Sequence, residues 1–206
     1  MKLSILMAAY NEERTVAQVA GTVLAAQYPC QIELIIVDDG SSDRTPELLA
    51  ELVDPRVVVL RHRTNRGKSA ALTTAMDAAT GTHMLPFDAD LEYDPADIPA
   101  LIEPVLRGRC EVVYGTRLFG ANTVYQSFGY ALGNKLLTLA ANVMFDASIS
   151  DLHTCLKLIP LPLVRSMRLD ASGFGMDTEL TARLLDRKST RLNSSHDELS
   201  RMPSSA

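Results

Sequence analysis

The chain has 206 residues, 47% of them hydrophobic and 22% charged, with a formal net charge of −5. That balance fits one α/β domain and excludes a disordered chain, a collagen or a coiled coil; the acidic charge argues against a nucleic-acid partner, which favours a basic face. Three scattered cysteines make no disulfide framework, four histidines lack metal-ligand spacing, and no run reaches the roughly 18 uncharged apolar residues of a membrane span, so a reducing, cytoplasmic setting is the expectation.

Residues 3–9 (LSILMAA) read as a buried strand, with no secretory leader before it. Asn11 is the expected N-cap of the next helix, Glu12 and Glu13 suit its first turn, and Val16, Val19, Ala20, Val23 and Leu24 recur at helical spacing. Residues 32–38 (IELIIVD) are apolar nearly throughout, as in a parallel strand covered on both faces. The turn GSSD leads to a helix capped by Thr45, with Pro46 at its first position and Leu48, Leu49 and Leu52 inward. Residues 57–61 form a third strand, 67–80 a third helix ended by Gly81, and 83–87 a fourth strand, although Pro86 cannot donate to a ladder. Asp94-Pro95 opens a fourth helix, and 111–116 form a fifth strand. This alternation predicts an α/β fold with a Rossmann-like, mostly parallel sheet and right-handed crossovers. Helices are expected over 126–145, 160–168 and 176–186. Residues 188–206 hold six of the fifteen serines and few large apolar side chains, too few to offset the entropy of ordering. They read as a non-native or disordered tail behind a domain spanning 1–187 whose C-terminal end is incomplete.

In an open parallel sheet, ligands bind outside the carboxyl ends of the strands. Three polar clusters fall there: Ala9-Tyr10-Asn11-Glu12, Asp38-Asp39-Gly40-Ser41-Ser42-Asp43 and Asp88-Ala89-Asp90. In the strand order 3-2-1-4 these ends are neighbours. Two carboxylates two residues apart after a strand offer the hard oxygens that Mg²⁺ or Mn²⁺ selects, and such an ion bridges phosphate oxygens. Alone, the same pattern describes a solvated acidic turn, and Asp38-Asp39 describes an Asx turn; it is their adjacency that favours a nucleotide. The first turn has no glycine, so the dinucleotide fingerprint is absent. Gly67-Lys68-Ser69 mimics a P-loop end but has His62 where that motif needs glycine. Lys68 either faces a diphosphate or is a solvated lysine.

AAYNEERT, VDDGSSDRT, NRGKSAAL, DADLEYDP and VVYGTR, in this order and spacing, resemble family 2 glycosyltransferases of the GT-A fold. The likeness is to the dolichol-phosphate mannosyltransferase-like branch, which glycosylates polyprenyl phosphates; SDLHTCLKLI (150–159) and FGMDTELTARLL (174–185) extend it. Two departures stand out: Ala8 where the family usually has proline, and Glu92 where this branch often has glutamine, so the sugar is not carried over. The resemblance implies a nucleotide-diphosphate sugar donor held by Ala9, Tyr10, Glu12, Val37, Asp39, Lys68, Asp88 and Ala89, and Mg²⁺ or Mn²⁺ at Asp88 and Asp90 with Glu92 beside them. Arg117, with Lys135 and Lys157, meets the phosphate of a polyprenyl phosphate at the cytoplasmic face of a membrane. Asp90 and Arg117 are the catalytic candidates. Asp177 is either an acceptor-side carboxylate, the base that a saccharide acceptor would need, or the polar first turn of a helix. The implied chemistry is inverting sugar transfer. The alternatives are a saccharide acceptor, or an inactive nucleotide-binding module on the same fold.

Overall fold

The computed structural model describes residues 1–115, 128–167, 169 and 175–192. Its strands are β1 (Lys2–Ala9), β2 (Gln31–Asp38), β3 (Val57–Arg61), β4 (His83–Pro86), β5 (Val113–Tyr114) and β6 (Lys157–Pro160). The helices are α1 (Val16–Ala25), α2 (Thr45–Ala50), α3 (Lys68–Ala78), α4 (Ile98–Leu106), α5 (Phe128–Met144), α6 (Leu161–Arg165) and α7 (Gly175–Leu192), with a 3-10 turn at Pro95–Asp97. Among these helices none is long and apolar enough to cross a membrane.

The sheet runs β3-β2-β1-β4-β6-β5. The first four strands pair in parallel, Leu3 opposite Ile32 and His83, Leu34 opposite Val57. Both faces are covered, which explains the unbroken apolar runs of β1 and β2. On one face Leu3, Ile5 and Met7 pack with Val16, Val19, Ala20 and Val23 of α1 and Ile98 and Ile102 of α4. On the other, Leu6, Ile35 and Val37 meet Ala71, Leu72, Ala75 and Met76 of α3 and Met176, Leu180 and Leu184 of α7.

Four expectations need correction. The fifth strand shortens to Val113–Tyr114 and does not pair with β4: β6 lies between them, antiparallel to both. Four residues that run into Pro160 carry too little periodicity to separate a strand from the helix expected after them. That insertion also accommodates Pro86, which lies past Met84, the last β4 residue paired with β6. Asn11 is not a cap. It adopts a left-handed conformation (φ 56), α1 starts at Val16, and the Asn11 side-chain oxygen accepts from the Ser42 N–H at 2.9 Å. Thr45 likewise does not cap: its hydroxyl accepts from the Glu12 N–H at 2.8 Å. Gly81 does not terminate α3, which ends at Ala78. A Cβ there would lie 2.4 Å from Ser4 Oγ and 2.8 Å from the Lys2 carbonyl, so glycine lets this turn press against β1.

That contact sits beside a buried carboxylate. Glu33 accepts from Ser4 Oγ (2.6 Å), the Thr80 N–H (2.6 Å) and hydroxyl (2.6 Å) and the Gly81 N–H (3.0 Å), and pairs with Lys2 Nζ at 2.6 Å. Burial alone would raise its pKa; the bonds from Lys2, Ser4 and Thr80 outweigh this and lower it to about 2. The stabilisation is therefore present above the ordinary value of 4.5 and is lost as pH falls towards 2. Glu33→Ala strands these donors and should cost about 3 kcal/mol in urea unfolding at pH 7. The difference from the parent chain should narrow on acidification; a constant difference down to pH 2.5 would contradict this account.

Candidate active site

The carboxyl ends of β1, β2 and β4 meet along one edge, and the loops leaving them are sewn together by side chains. The Asn11 N–H donates to Ser41 Oγ (2.9 Å), and the Glu13 N–H to Asp43 Oδ2 (3.1 Å). Glu13 Oε2 accepts from the Arg44 N–H (3.1 Å), and Glu12 Oε2 accepts from the Thr15 hydroxyl (2.7 Å). Ala9 and Val37 are buried beneath, the Ala9 carbonyl taking the Asp39 N–H at 2.8 Å. Tyr10 stands out of this weave, 46% exposed, with its ring available as a stacking face.

Asp38, the last residue of β2, and Asp39, which follows it, are both buried and do different work. Asp38 Oδ1 accepts from the Ser41 N–H (2.9 Å), and Arg61 Nε lies 2.9 Å from Oδ2 as an ion pair. Asp39 turns to the loop between β3 and α3. It accepts from the Arg66 N–H (3.0 Å to Oδ1) and the Gly67 N–H (2.7 Å to Oδ2), and its Oδ1 lies 2.6 Å from His62 Nδ1. Gly40 makes room for that loop: it sits at φ +75, and a Cβ would come within 2.6 Å of the Thr64 carbonyl carbon and 2.7 Å of the Asn65 nitrogen. Gly40→Ala must displace backbone as well as adopt a left-handed conformation. It should cost about 3 kcal/mol in denaturant unfolding; a change below about 0.5 kcal/mol would show that the two loops are not in register.

Beyond β4, Asp88 is enclosed and Asp90 is open. Asp88 Oδ1 meets Lys68 Nζ at 2.5 Å, while Oδ2 accepts from Cys155 Sγ at 2.6 Å; Lys68 Nζ also lies 3.4 Å from that sulfur. Cys155 is fixed in turn by its N–H, which donates to the Tyr93 hydroxyl at 3.1 Å. Burial works against the Lys68 charge, but Cys155, Asp88 and Asp177 outweigh it and push its pKa up. Burial, then Asp88, pushes the Cys155 thiol up, so it stays a donor. Ala89 is buried and Asp90 exposed, and Asp90 Oδ1 accepts from the Glu92 N–H at 3.0 Å. Leu91, between Asp90 and Glu92, is left-handed (φ 65), a cost that a branched side chain carries only where surrounding structure imposes it. Among the described residues, no group of three His, Cys, Asp or Glu side chains could hold an ion alone, so Asp88, Asp90 and Glu92 do not form a ready cage.

Among the described acceptor-side candidates, Lys135 and Lys157 do not share a surface. Arg117 lies outside the described residues. Lys135 is exposed on α5. Lys157 has a fully buried side chain, with Nζ 3.2 Å from Asp177 Oδ1 and 6.0 Å from the centre of the Tyr114 ring. Asp177 sits in the first turn of α7. Asn134, Asp151, His153 and Thr178 link α5 to α7: Asn134 Nδ2 donates to Asp151 Oδ1 (2.8 Å), and His153 contacts Asn134 Oδ1 (2.9 Å) and Thr178 Oγ1 (3.3 Å). Sequence reasoning passed over His62 and Cys155 as parts of this edge. For His62 a signal existed: it directly follows β3, at the same carboxyl edge. Cys155 comes in from a distant segment with no spacing to announce it.

The sequence pattern described as Glycosyl transferase family 2 matches residues 4–160. The dodecaprenyl-phosphate galacturonate synthase of Rhizobium johnstonii is 34% identical over 122 residues, 57% of this chain and 36% of its own length. The dolichol-phosphate mannosyltransferase of Pyrococcus furiosus is 29% identical over 175 residues, 84% of this chain and 45% of its own. The chain thus spans less than half the length of either relative. Among solved structures, glucosyl-3-phosphoglycerate synthase from Mycobacterium tuberculosis, in complex with Mn²⁺, UDP and glucosyl-3-phosphoglycerate, superposes with a TM-score of 0.69 at 22% identity, covering 91% of this chain and 67% of that one. That likeness shows a shared fold, the GT-A fold expected from the motifs.

Proposed function

The chain belongs to glycosyl transferase family 2, and on that premise we propose that it moves a sugar, with inversion, from a nucleotide-diphosphate sugar to a polyprenyl phosphate at the cytoplasmic face of a membrane. The observation that carries this reading is the Asp88-x-Asp90 turn at the end of β4, beside the exposed Tyr10 and the loop gripped by Asp39. The two relatives named for polyprenyl-type phosphates support the acceptor class. The complex holding Mn²⁺ and UDP supports the donor and the metal.

The residues present fit Mg²⁺ or Mn²⁺ by their donor chemistry: Asp88, Asp90 and Glu92 offer the hard carboxylate oxygens such ions select, and Asp90 and Glu92 are exposed. When bound at Asp88 and Asp90, with Glu92 beside them, such an ion neutralises charge developing on the departing diphosphate. The protein's own groups do the rest. Tyr10 offers its face to the base, and Glu12 and Asp39 border the nucleoside. Lys68, paired with Asp88 at 2.5 Å, adds a positive charge next to the diphosphate. An ionised acceptor phosphate needs positioning by Arg117 and Lys135 rather than a strong base. Asp177 bears on the choice of acceptor: its carboxylate is already engaged by Lys157, which favours a phosphate acceptor over a hydroxyl one.

Isothermal titration with UDP and with GDP, with and without Mn²⁺, tests the donor half. Metal-dependent binding of one of them is expected; binding of neither, or equal binding without metal, would defeat the proposal. An inactive module would bind but release no diphosphate when given a sugar nucleotide and polyprenyl phosphate.

A further inference from the structure

Both oxygens of Asp88, the first carboxylate of the turn after β4, are engaged by the chain itself. Lys68 Nζ lies 2.5 Å from Oδ1, and Cys155 Sγ donates to Oδ2 at 2.6 Å. The ion pair is partly shielded, with the Lys68 side chain 31% exposed and that of Asp88 18%. An ammonium this close repels a second cation arriving at either oxygen, and water screens the repulsion less than it would on an open surface. Asp88 is therefore a poor ligand for a divalent ion for as long as Lys68 stays where it is.

Lys68 is also built to leave. It is the first residue of α3, and the Gly67 N–H before it is held by Asp39 Oδ2 at 2.7 Å. The backbone is thereby anchored on the nucleoside side of the cleft, while the side chain crosses to the end of β4 on its flexible four-carbon stem. The ammonium changes partner by rotation about side-chain bonds, with the backbone fixed. Its contact with Cys155 Sγ, at 3.4 Å, is to a weak acceptor and does little to retain it. A diphosphate in the cleft carries more negative charge than one carboxylate and offers the ammonium a better partner.

We propose that Lys68 is a built-in counter-ion of the metal site: it holds Asp88 against a divalent cation until a nucleotide diphosphate draws the ammonium away, and so couples metal binding to donor binding. This rests on the donor reading above and adds an order of preference to it. Metal alone binds weakly, and metal and nucleotide each strengthen the other by the same factor.

Mn²⁺ titration without nucleotide, read by the electron paramagnetic resonance signal of the free ion, tests the opposition by itself. Lys68→Met removes the competing charge and should tighten Mn²⁺ binding about ten-fold, a usual size for such a coupling. Lys68→Gln is neutral but polar; it should tighten binding as well, and it serves if the Met chain does not fold. Lys68→Arg keeps the charge and should stay near the parent. The same titrations at saturating UDP or GDP, whichever the parent binds, read the coupling. The factor by which nucleotide strengthens Mn²⁺ binding should be about ten-fold smaller in the neutral variants than in the parent. Unchanged or weaker Mn²⁺ binding in the neutral variants would overturn the proposal. So would an Arg chain that tightens as much as they do, or a nucleotide enhancement equal to the parent's. If the parent binds neither UDP nor GDP, the donor reading falls, while the nucleotide-free comparison still decides whether Lys68 opposes the cation.

Discussion

Asp90→Asn is expected to lower sugar transfer about a thousand-fold while leaving the fold intact. The side chain is exposed at the tip of the turn after β4, and its one described bond, from the Glu92 N–H, can be accepted by an asparagine oxygen. The stability change should therefore stay within about 0.5 kcal/mol. What disappears is a full negative charge in a pair of hard oxygens, and with it several kcal/mol of stabilisation of the leaving diphosphate. The separating measurement is UDP or GDP affinity with and without Mn²⁺: the variant should lose the enhancement by metal and keep the metal-free affinity. An Asp90→Asn chain that retains both metal enhancement and transfer would remove Asp90 from the site. Asp88→Asn is the less clean experiment, because Lys68 and Cys155 both depend on that carboxylate.

Much of this edge was legible in the sequence because parallel strands announce themselves. IELIIVD and LSILMAA are apolar on both faces, and the polar residues that follow them must lie at carboxyl ends. What escaped was whatever depends on pairing across long separations. β6 is four residues long and takes its meaning only from lying between β4 and β5. Asn11 and Thr45 carry cap chemistry, but tertiary partners claimed their polar atoms: the Ser42 N–H for one and the Glu12 N–H for the other. Cys155 reaches Asp88 across 67 positions, and His62 reaches Asp39 across 23. Lys157 shows the limit most clearly. A lysine in a family motif reads as a surface cation for a phosphate, yet the strand that carries it turns the side chain fully inward.

That burial gives Asp177 a second identity, which one series of variants can separate from catalysis. Lys157 has no exposed side-chain surface, and its ammonium is held by the Asp177 carboxylate at 3.2 Å, with the Tyr114 ring 6.0 Å away. Removing the carboxylate leaves a buried, uncompensated charge, so Asp177→Ala should destabilise by about 3–5 kcal/mol in urea unfolding. Removing the lysine is milder, since Asp177 is partly exposed and can be hydrated; Lys157→Met should cost about 1 kcal/mol. The Lys157→Met, Asp177→Ala double variant should recover most of the single Asp177→Ala loss, because no orphaned charge remains. Transfer assayed well below each unfolding midpoint then divides the two roles. With a polyprenyl phosphate acceptor the double variant should keep activity within about ten-fold of the parent, the chemistry needing no base. Were Asp177 the base for a hydroxyl acceptor, transfer would stay down by about 100-fold or more in the double variant although its stability had returned. An Asp177→Ala chain as stable as the parent would show that Lys157 does not depend on this carboxylate, and the structural half of the account would fall.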